Sequence, residues 1–341
     1  MDQKQDIKKI LSLFLVIHIL YLLFQWISCQ LTGNSFYFVY SVMDSENYIH
    51  IANYGYDEEK YYAFFPLIPL IIRFFSVYGA LLINAVLMVL SALLLYHMYG
   101  LNVAYLFLLS PIQIYCYVPY TEAVFIFLTI FVFYLYKKQK WFLMGICLGI
   151  GVCDRSMMSM MFFVLFIGMC KKWIQKEVKI FDILKAYIPA TLISLFYPIY
   201  LWIKTGNPFL FVEVQYTYWD AIKGNIFTIF FKDIQSFLTQ DTYGKYLICL
   251  TYITLTLLII ALFQKIEWEL ILYSIFTILI VFSTGKQLYM EASFPPSTSY
   301  FRYFLACFPI YLLPKKKYIW IIFIILHILI ACNFILSGWP F

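Results

Sequence analysis

The chain has 341 residues, of which 64% are hydrophobic and 12% are charged, and its mean hydropathy is +0.83. Soluble domains carry about 25% charged residues, so this composition excludes a soluble protein and predicts an all-α polytopic membrane protein. The net charge of +6 comes mainly from lysine, with 21 Lys and 3 Arg. Lysine-rich cytoplasmic loops explain this charge, and no nucleic-acid partner is expected.

The first external segment follows the first span. The N-terminus is basic and is expected inside, so the span over 10–30 leads out of the cell. The segment 31–60 carries five carboxylates against one lysine. Residues 61–78 are apolar but interrupted by Pro66 and Pro69, which predicts a helix lying on the outer surface rather than a span. This assignment keeps the lysines of 137–140 inside. External loop 31–79 then carries the candidate active-site acid.

The rest of the chain is predicted to cross the membrane repeatedly. A second external loop is expected at 204–245, with an amphipathic helix over 226–238. The whole chain, 1–341, forms one domain of about eleven transmembrane helices. Apolar runs of sufficient length predict the remaining spans at 80–98, 102–118, 122–136, 141–153, 156–170, 182–203, 246–263, 268–284, 300–313 and 318–336.

Asp44 is the leading candidate for catalysis. In a helix over 43–54, Asp44, Tyr48 and Ile51 share one face. A carboxylate there could act as general base toward an acceptor hydroxyl, or it could simply cap the helix. Glu46 could join Asp44 in holding a cation, but this spacing is common by chance. Neither a metal ion nor another cofactor is expected.

Two arginines are candidates for binding a phosphate, because a guanidinium matches its planar fork to phosphate oxygens. Arg155 lies at the turn between two short spans, where neighbouring Asp154 could instead neutralise it. Arg302 lies at the outer end of a span, where ordinary snorkelling to the interface is the alternative.

Four further residues are candidates for contacting a substrate. Tyr120 and Glu122 open the span 122–136; Glu122 suits the positive end of the helix or could orient a sugar hydroxyl or Arg155. Gln215 belongs to the polar groups that could line an outward-facing cavity. Trp219 ends an aromatic stretch that fits either sugar stacking or an interfacial belt.

Seven short stretches, taken in order, carry a resemblance to a known family. They are 44–56 (DSENYIHIANYGY), 63–70 (AFFPLIPL), 109–111 (LSP), 119–122 (PYTE), 154–156 (DRS), 300–303 (YFRY) and 338–339 (GW). Together they resemble the PIG-V family of mannosyltransferases within the multispanning GT-C superfamily. Where that family has Trp-Asp, this chain has Met43-Asp44.

The resemblance implies a GT-C-like fold and the transfer of a sugar, expected to be mannose, from a polyprenyl-phosphate donor with inversion. Asp44 would be the base, Arg155 and Arg302 would bind the donor phosphate, and Glu122 would line the site. The expected partners are the lipid-linked donor, membrane lipid and a glycolipid or glycan acceptor. The site would be extracytoplasmic, in a multi-pass protein of the cell membrane. The alternative is a transporter or flippase for lipid-linked saccharides, which the clustering of charge on one side disfavours.

Overall fold

Helices make up most of the chain, as the composition predicts. The computed structural model describes residues 3–33, 35, 40–41, 43–239, 242–286 and 295–337, so the stretch 338–339 lies outside the described residues. The α-helices are α1 Gln3–Thr32, α2 Asp44–Tyr54, α3 Leu67–Tyr99, α4 Leu101–Leu109, α5 Glu122–Lys137, α6 Trp141–Asp154, α7 Met158–Ile174, α8 Ile180–Ser194, α9 Phe196–Thr205, α10 Leu210–Tyr218, α11 Ile226–Thr239, α12 Thr242–Leu262, α13 Trp268–Val281, α14 Tyr300–Ala306 and α15 Lys317–Ser337.

Shorter elements connect these helices. Strands β1 (Ala221–Lys223) and β2 (Thr284–Lys286) pair antiparallel, with Ile222 opposite Gly285. The 3₁₀ helices are Glu59–Ala63, Pro111–Cys116 and Phe308–Tyr311.

Within the described residues, four helical stretches are long and apolar enough to cross a membrane: Gln3–Leu31, Leu67–Tyr99, Ile180–Thr205 and Thr242–Leu262. Trp141–Asp154, Trp268–Val281 and Lys317–Asn333 are apolar but shorter. These helices associate the chain with a membrane. The predicted number of about eleven crossings stays a prediction.

Two predicted spans are broken by proline. The run 102–118 was expected to be one helix, but α4 ends at Leu109 and a 3₁₀ helix follows from Pro111. Proline disfavours helical geometry in the residue before it, and Ser110 is extended with ψ 143°. The run 300–313 likewise stops at Ala306 and continues as a 3₁₀ helix that contains Pro309.

The predicted separation of a helix over 61–78 from a span over 80–98 is confirmed as a break at Ser76, close to the predicted boundary, although the first segment begins at Leu67. Its position on the outer surface stays a prediction. Residues from Leu67 to Tyr99 form α3, which is interrupted at Ser76 with φ 64° and ψ 174°. Pro66 and Pro69 do not break the helix because they lie at its N-terminal end, where the backbone N–H has no intrahelical partner to lose.

Proline also explains the interruption between α8 and α9. Pro198 has no N–H to donate to the carbonyl of Ser194, and α8 ends at that residue. Pro189, by contrast, lies inside continuous α8.

The predicted amphipathic helix is confirmed as α11. Its protein-facing side is partly polar, with Asp233 and Ser236 buried, while Phe227 and Phe231 are exposed. An apolar outer face of this kind suits a lipid interface.

Helices α6 and α8 are in close contact because α6 carries glycines where they meet. A Cβ atom on Gly145 would lie 1.9 Å from the carbonyl oxygen of Ala186, and one on Gly149 would lie 2.6 Å from Cβ of Ile193. Small residues four apart allow helix backbones to approach closely in membranes. This packing fixes α6, whose last residue is Asp154.

Candidate functional site

Four charged residues from distant parts of the chain form one ion network. Glu122 Oε1 lies 2.9 Å from Nη2 of Arg155 and is also in contact with Nε of Arg302. Arg302 Nη1 in turn lies 3.1 Å from Oδ2 of Asp44. The ion network therefore runs Asp44–Arg302–Glu122–Arg155, with Glu122 binding both arginines.

The ion network is deeply buried except at one point. The exposed fraction of the side chain is 0% for Glu122, 6% for Arg302 and 13% for Arg155, against 35% for Asp44. Removing a charge from water is expensive unless it is paired, and each of the three buried members has an opposite charge in contact. Asp44 is thus the most exposed of the four side chains.

The helix α2 places Asp44 in the ion network. Asp44 is the first residue of α2, and the N-cap position belongs to Met43, which makes no side-chain cap. The capping alternative for Asp44 is therefore wrong. Met43 has φ 58° and ψ −129°, a conformation that is strained for a residue other than glycine. Glu46, two residues on, is exposed.

The predicted shared face of Asp44, Tyr48 and Ile51 is confirmed, since Tyr48 and Ile51 are buried. Burial raises the pKa of Tyr48 well above its ordinary value, and the nearby carboxylate of Asp44 adds to this effect. Tyr48 therefore remains a neutral phenol beside the ion network.

Aromatic rings cover the two guanidinium groups. The guanidinium carbon of Arg302 lies 4.8 Å from the ring centre of Tyr120 and 5.3 Å from that of Tyr115. That of Arg155 lies 5.0 Å from the ring of Tyr303. Such cation–π contacts stabilise partly desolvated cations. Tyr115 and Tyr303 were not among the predicted site residues; only the YFRY stretch hinted at Tyr303.

Several buried polar atoms near the ion network have no hydrogen-bond partner among the described residues. Both carboxyl oxygens of Asp154 are unpartnered, although the side chain is 1% exposed. Arg155 pairs with Glu122 instead, so the alternative in which Asp154 forms an ion pair with its neighbour does not hold. Nη1 of Arg155 and Oε2 of Glu122 are also unpartnered. Unsatisfied buried groups are rare and are concentrated at functional sites.

Trp219 and Gln215 lie outside the ion network. Trp219 Nε1 donates to the carbonyl of Lys60 at 2.9 Å, and its ring packs edge-on against Phe64, which packs against Tyr48. Gln215 is half-buried on α10, and no hydrogen bond or ion pair joins it to the ion network in the described part of the chain. Trp219 thus packs against the segment that follows α2, and the substrate role of both residues stays a prediction.

The segment that precedes Arg302 is anchored by α11. Asp233 accepts a hydrogen bond from Ser297 N at 3.2 Å and another from the hydroxyl of Tyr252 at 2.9 Å. Burial raises the pKa of Asp233, and these two hydrogen bonds oppose the increase. Thr251 donates to the carbonyl of Ser297 at 3.2 Å. Asp233 of α11 and Thr251 of α12 therefore hold the segment before α14 in place.

One group of possible metal ligands lies apart from the ion network. His50, Asp57 and Glu58 bring their ligand atoms within 4.8 Å of one another. Asp57 already accepts from His50 at 2.8 Å, and Glu58 pairs with Lys60 at 2.9 Å. Because the two acids are exposed and already partnered, the group carries no metal assignment.

Comparison with protein-family models, with curated proteins and with solved structures finds no match to this chain. The resemblance to the PIG-V family therefore stays a prediction, and the geometry of the ion network is the basis for proposing a function.

Proposed function

We propose that the protein is a membrane glycosyltransferase that moves a sugar from a polyprenyl-phosphate donor to an extracytoplasmic acceptor, with Asp44 as general base. The observation that carries the proposal is the ion network. It joins an accessible carboxylate to a buried glutamate and two buried arginines in a chain that has only three arginines. An accessible carboxylate is suited to deprotonate a hydroxyl, and buried guanidinium groups are suited to stabilise the charge of a departing phosphate.

In the proposed reaction, Asp44 takes the proton from the acceptor hydroxyl as that oxygen attacks C1 of the sugar. The bond between C1 and the phosphate oxygen breaks, and the configuration at C1 inverts. Polyprenyl phosphate leaves with the bonding electrons. Arg155 is suited to bind its charge, since its Nη1 is unpartnered.

In the proposed reaction, Arg302 has a second role, which is to position Asp44. It was predicted to bind the donor phosphate, and that role stays a prediction. Its contacts with Glu122 and Asp44 favour holding the carboxylate of Asp44 in one orientation. A base must lie within hydrogen-bond reach of the proton that it removes, so this positioning would support turnover even without contact with phosphate.

The test is sugar transfer in vitro from polyprenyl-phosphate mannose or glucose, with purified full-length protein. We expect Asp44→Asn to lower the rate about 10²- to 10⁴-fold, the usual contribution of a general base. Glu46→Gln is the matched control, because Glu46 lies on the same helix but is exposed; it should retain near-normal rates. Equal turnover by wild type and Asp44→Asn would overturn the assignment of the base.

A second pair of variants tests the phosphate contact. Arg155→Lys keeps the charge but loses the planar fork, and we expect a clear fall in kcat/KM. Arg73→Lys is the control, since Arg73 is exposed on α3. An equal effect of the two substitutions would contradict a phosphate role for Arg155.

A further inference from the structure

A second polar region lies at the far end of the bundle. Helix α5 runs from Glu122, in the ion network, to Lys137 at its other end. A cavity of about 850 Å³ opens beside Lys137. It is bounded by the ends of α3 and α5, the start of α4, the turn 264–267 and the segment 312–315. We call this region the lysine end.

The charge around this cavity is unbalanced. Three lysines line it, Lys137, Lys265 and Lys315, against one carboxylate, Glu267. Glu267 is already in contact with the ammonium of Lys137. Lys265 and Lys315 are exposed and form no ion pair within the described residues. The cavity therefore presents two uncompensated positive charges, which favour an anion.

Several other residues that line the cavity are apolar. They include Met98, Val103, Ile266, Leu312 and Leu313. A free inorganic phosphate would gain nothing from these apolar side chains, whereas an amphiphile would bury its apolar part against them. Basic pockets between membrane helices are known to bind anionic lipid headgroups.

From this cavity we infer a site for an anionic phospholipid, with its phosphodiester headgroup between Lys265 and Lys315 and its glycerol region against Leu312 and Leu313. The site is independent of the ion network and of sugar transfer. Its role would be to hold the α12–α13 turn and the segment before α15 together, because the headgroup contacts both.

The experiment is lipid binding by native mass spectrometry on the purified full-length protein in dodecyl maltoside. The probes are dioleoyl phosphatidylglycerol and, as a neutral comparison, dioleoyl phosphatidylcholine. We expect phosphatidylglycerol to bind preferentially. The double variant Lys265→Gln/Lys315→Gln should weaken its apparent affinity about tenfold or more, since each basic residue adds to binding of an anionic headgroup.

The control is Lys138→Gln/Lys140→Gln, which removes the same charge from the turn between α5 and α6 without touching the cavity. It should retain the wild-type affinity for phosphatidylglycerol. Equal loss in both double variants would mean general surface attraction and would overturn the site, as would unchanged binding by Lys265→Gln/Lys315→Gln. Equal protection against thermal unfolding by inorganic phosphate and by phosphatidylglycerol would overturn the assignment to a lipid.

Discussion

The two ends of the bundle use charge in opposite ways. In the ion network, carboxylates pair with guanidinium groups and the pairs are deeply buried, with Glu122 fully enclosed. At the lysine end, the side chains of Lys137 and Glu267 pair while each is about one-third exposed, 34% and 32%. The cations there are ammonium groups, which are strongly hydrated and remain near water.

This difference separates the charges that orient the chain in the membrane from the charges that are suited to a reaction. Exposed lysines orient a membrane protein through the positive-inside rule and contribute little to stability through their ion pairs. A buried ion network is seldom the most stable filling for a core, so its retention points to function. The contrast therefore supports placing the chemistry at Asp44 and the lipid site at the lysine end.

Of the substitutions that test this contrast, Glu122→Gln is expected to have the largest effect on stability. The substitution leaves two buried guanidinium groups without their shared counterion, and breaking a buried pair costs about 3–5 kcal/mol. Glu267→Gln, at the lysine end, should cost about 1 kcal/mol or less. Thermal midpoints in detergent measure both. Similar midpoints for the two variants would contradict the difference in burial on which the comparison depends.

A smaller but clear effect is expected from Gly145→Val on α6. The added side chain meets the carbonyl of Ala186, so α6 must move and carry Asp154 and Arg155 with it. Overpacking costs about 1–3 kcal/mol. Leu143→Val places the same side chain at an exposed position of the same helix and controls for helix propensity. Sugar transfer and thermal midpoint should both fall for Gly145→Val alone; retained transfer would show that α6 does not position the site.

Helix positions were predictable from the sequence because apolar runs and lysine clusters are local signals. The short helices over 141–153 and 156–170 are confirmed as α6 and α7, with Arg155 extended between them. The interruption at Ser110 was missed, whereas the one at Ser76 lies within three residues of the predicted boundary between 78 and 80. The first follows from Pro111. At the second, the hydroxyl of Ser76 accepts a hydrogen bond from the backbone N–H of Gly79 at 3.4 Å, as a residue that begins a new helix does.

The four members of the ion network were predictable, but the pairing among them was not. Asp44, Glu122, Arg155 and Arg302 were all proposed from the type of residue and its position at a helix end. That Glu122 binds both arginines, while Asp154 binds neither, depends on contacts between residues up to 180 positions apart. Periodicity contains no information about such contacts. Tyr115 was missed for the same reason.

Replacing Asp154 is expected to raise the thermal midpoint, whereas the substitutions described above lower it. A buried carboxyl whose oxygens have no partner is destabilising by about 1–3 kcal/mol, so Asp154→Leu should raise the thermal midpoint in detergent. Glu269→Leu is the comparison at the other end. Glu269 accepts a hydrogen bond from Tyr136 at 3.0 Å, and its loss should lower the midpoint. If Asp154 serves the site, Asp154→Leu should also lose activity despite its greater stability. A lower midpoint for Asp154→Leu would show that the carboxyl is stabilising after all.

The smallest effect is expected from an exposed pair close to Asp44 in sequence. The hydrogen bond from His50 lowers the pKa of Asp57. A carboxyl with a lowered pKa in the folded protein contributes stability above its ordinary value, about 3.9, and loses that contribution as the pH falls through the lowered pKa. His50→Gln should therefore reduce the thermal midpoint slightly near neutral pH, and wild type and variant should converge on acidification. Because Asp57 is exposed, a large difference between them would mean that His50 has a role beyond this pair, on the helix that also carries Asp44.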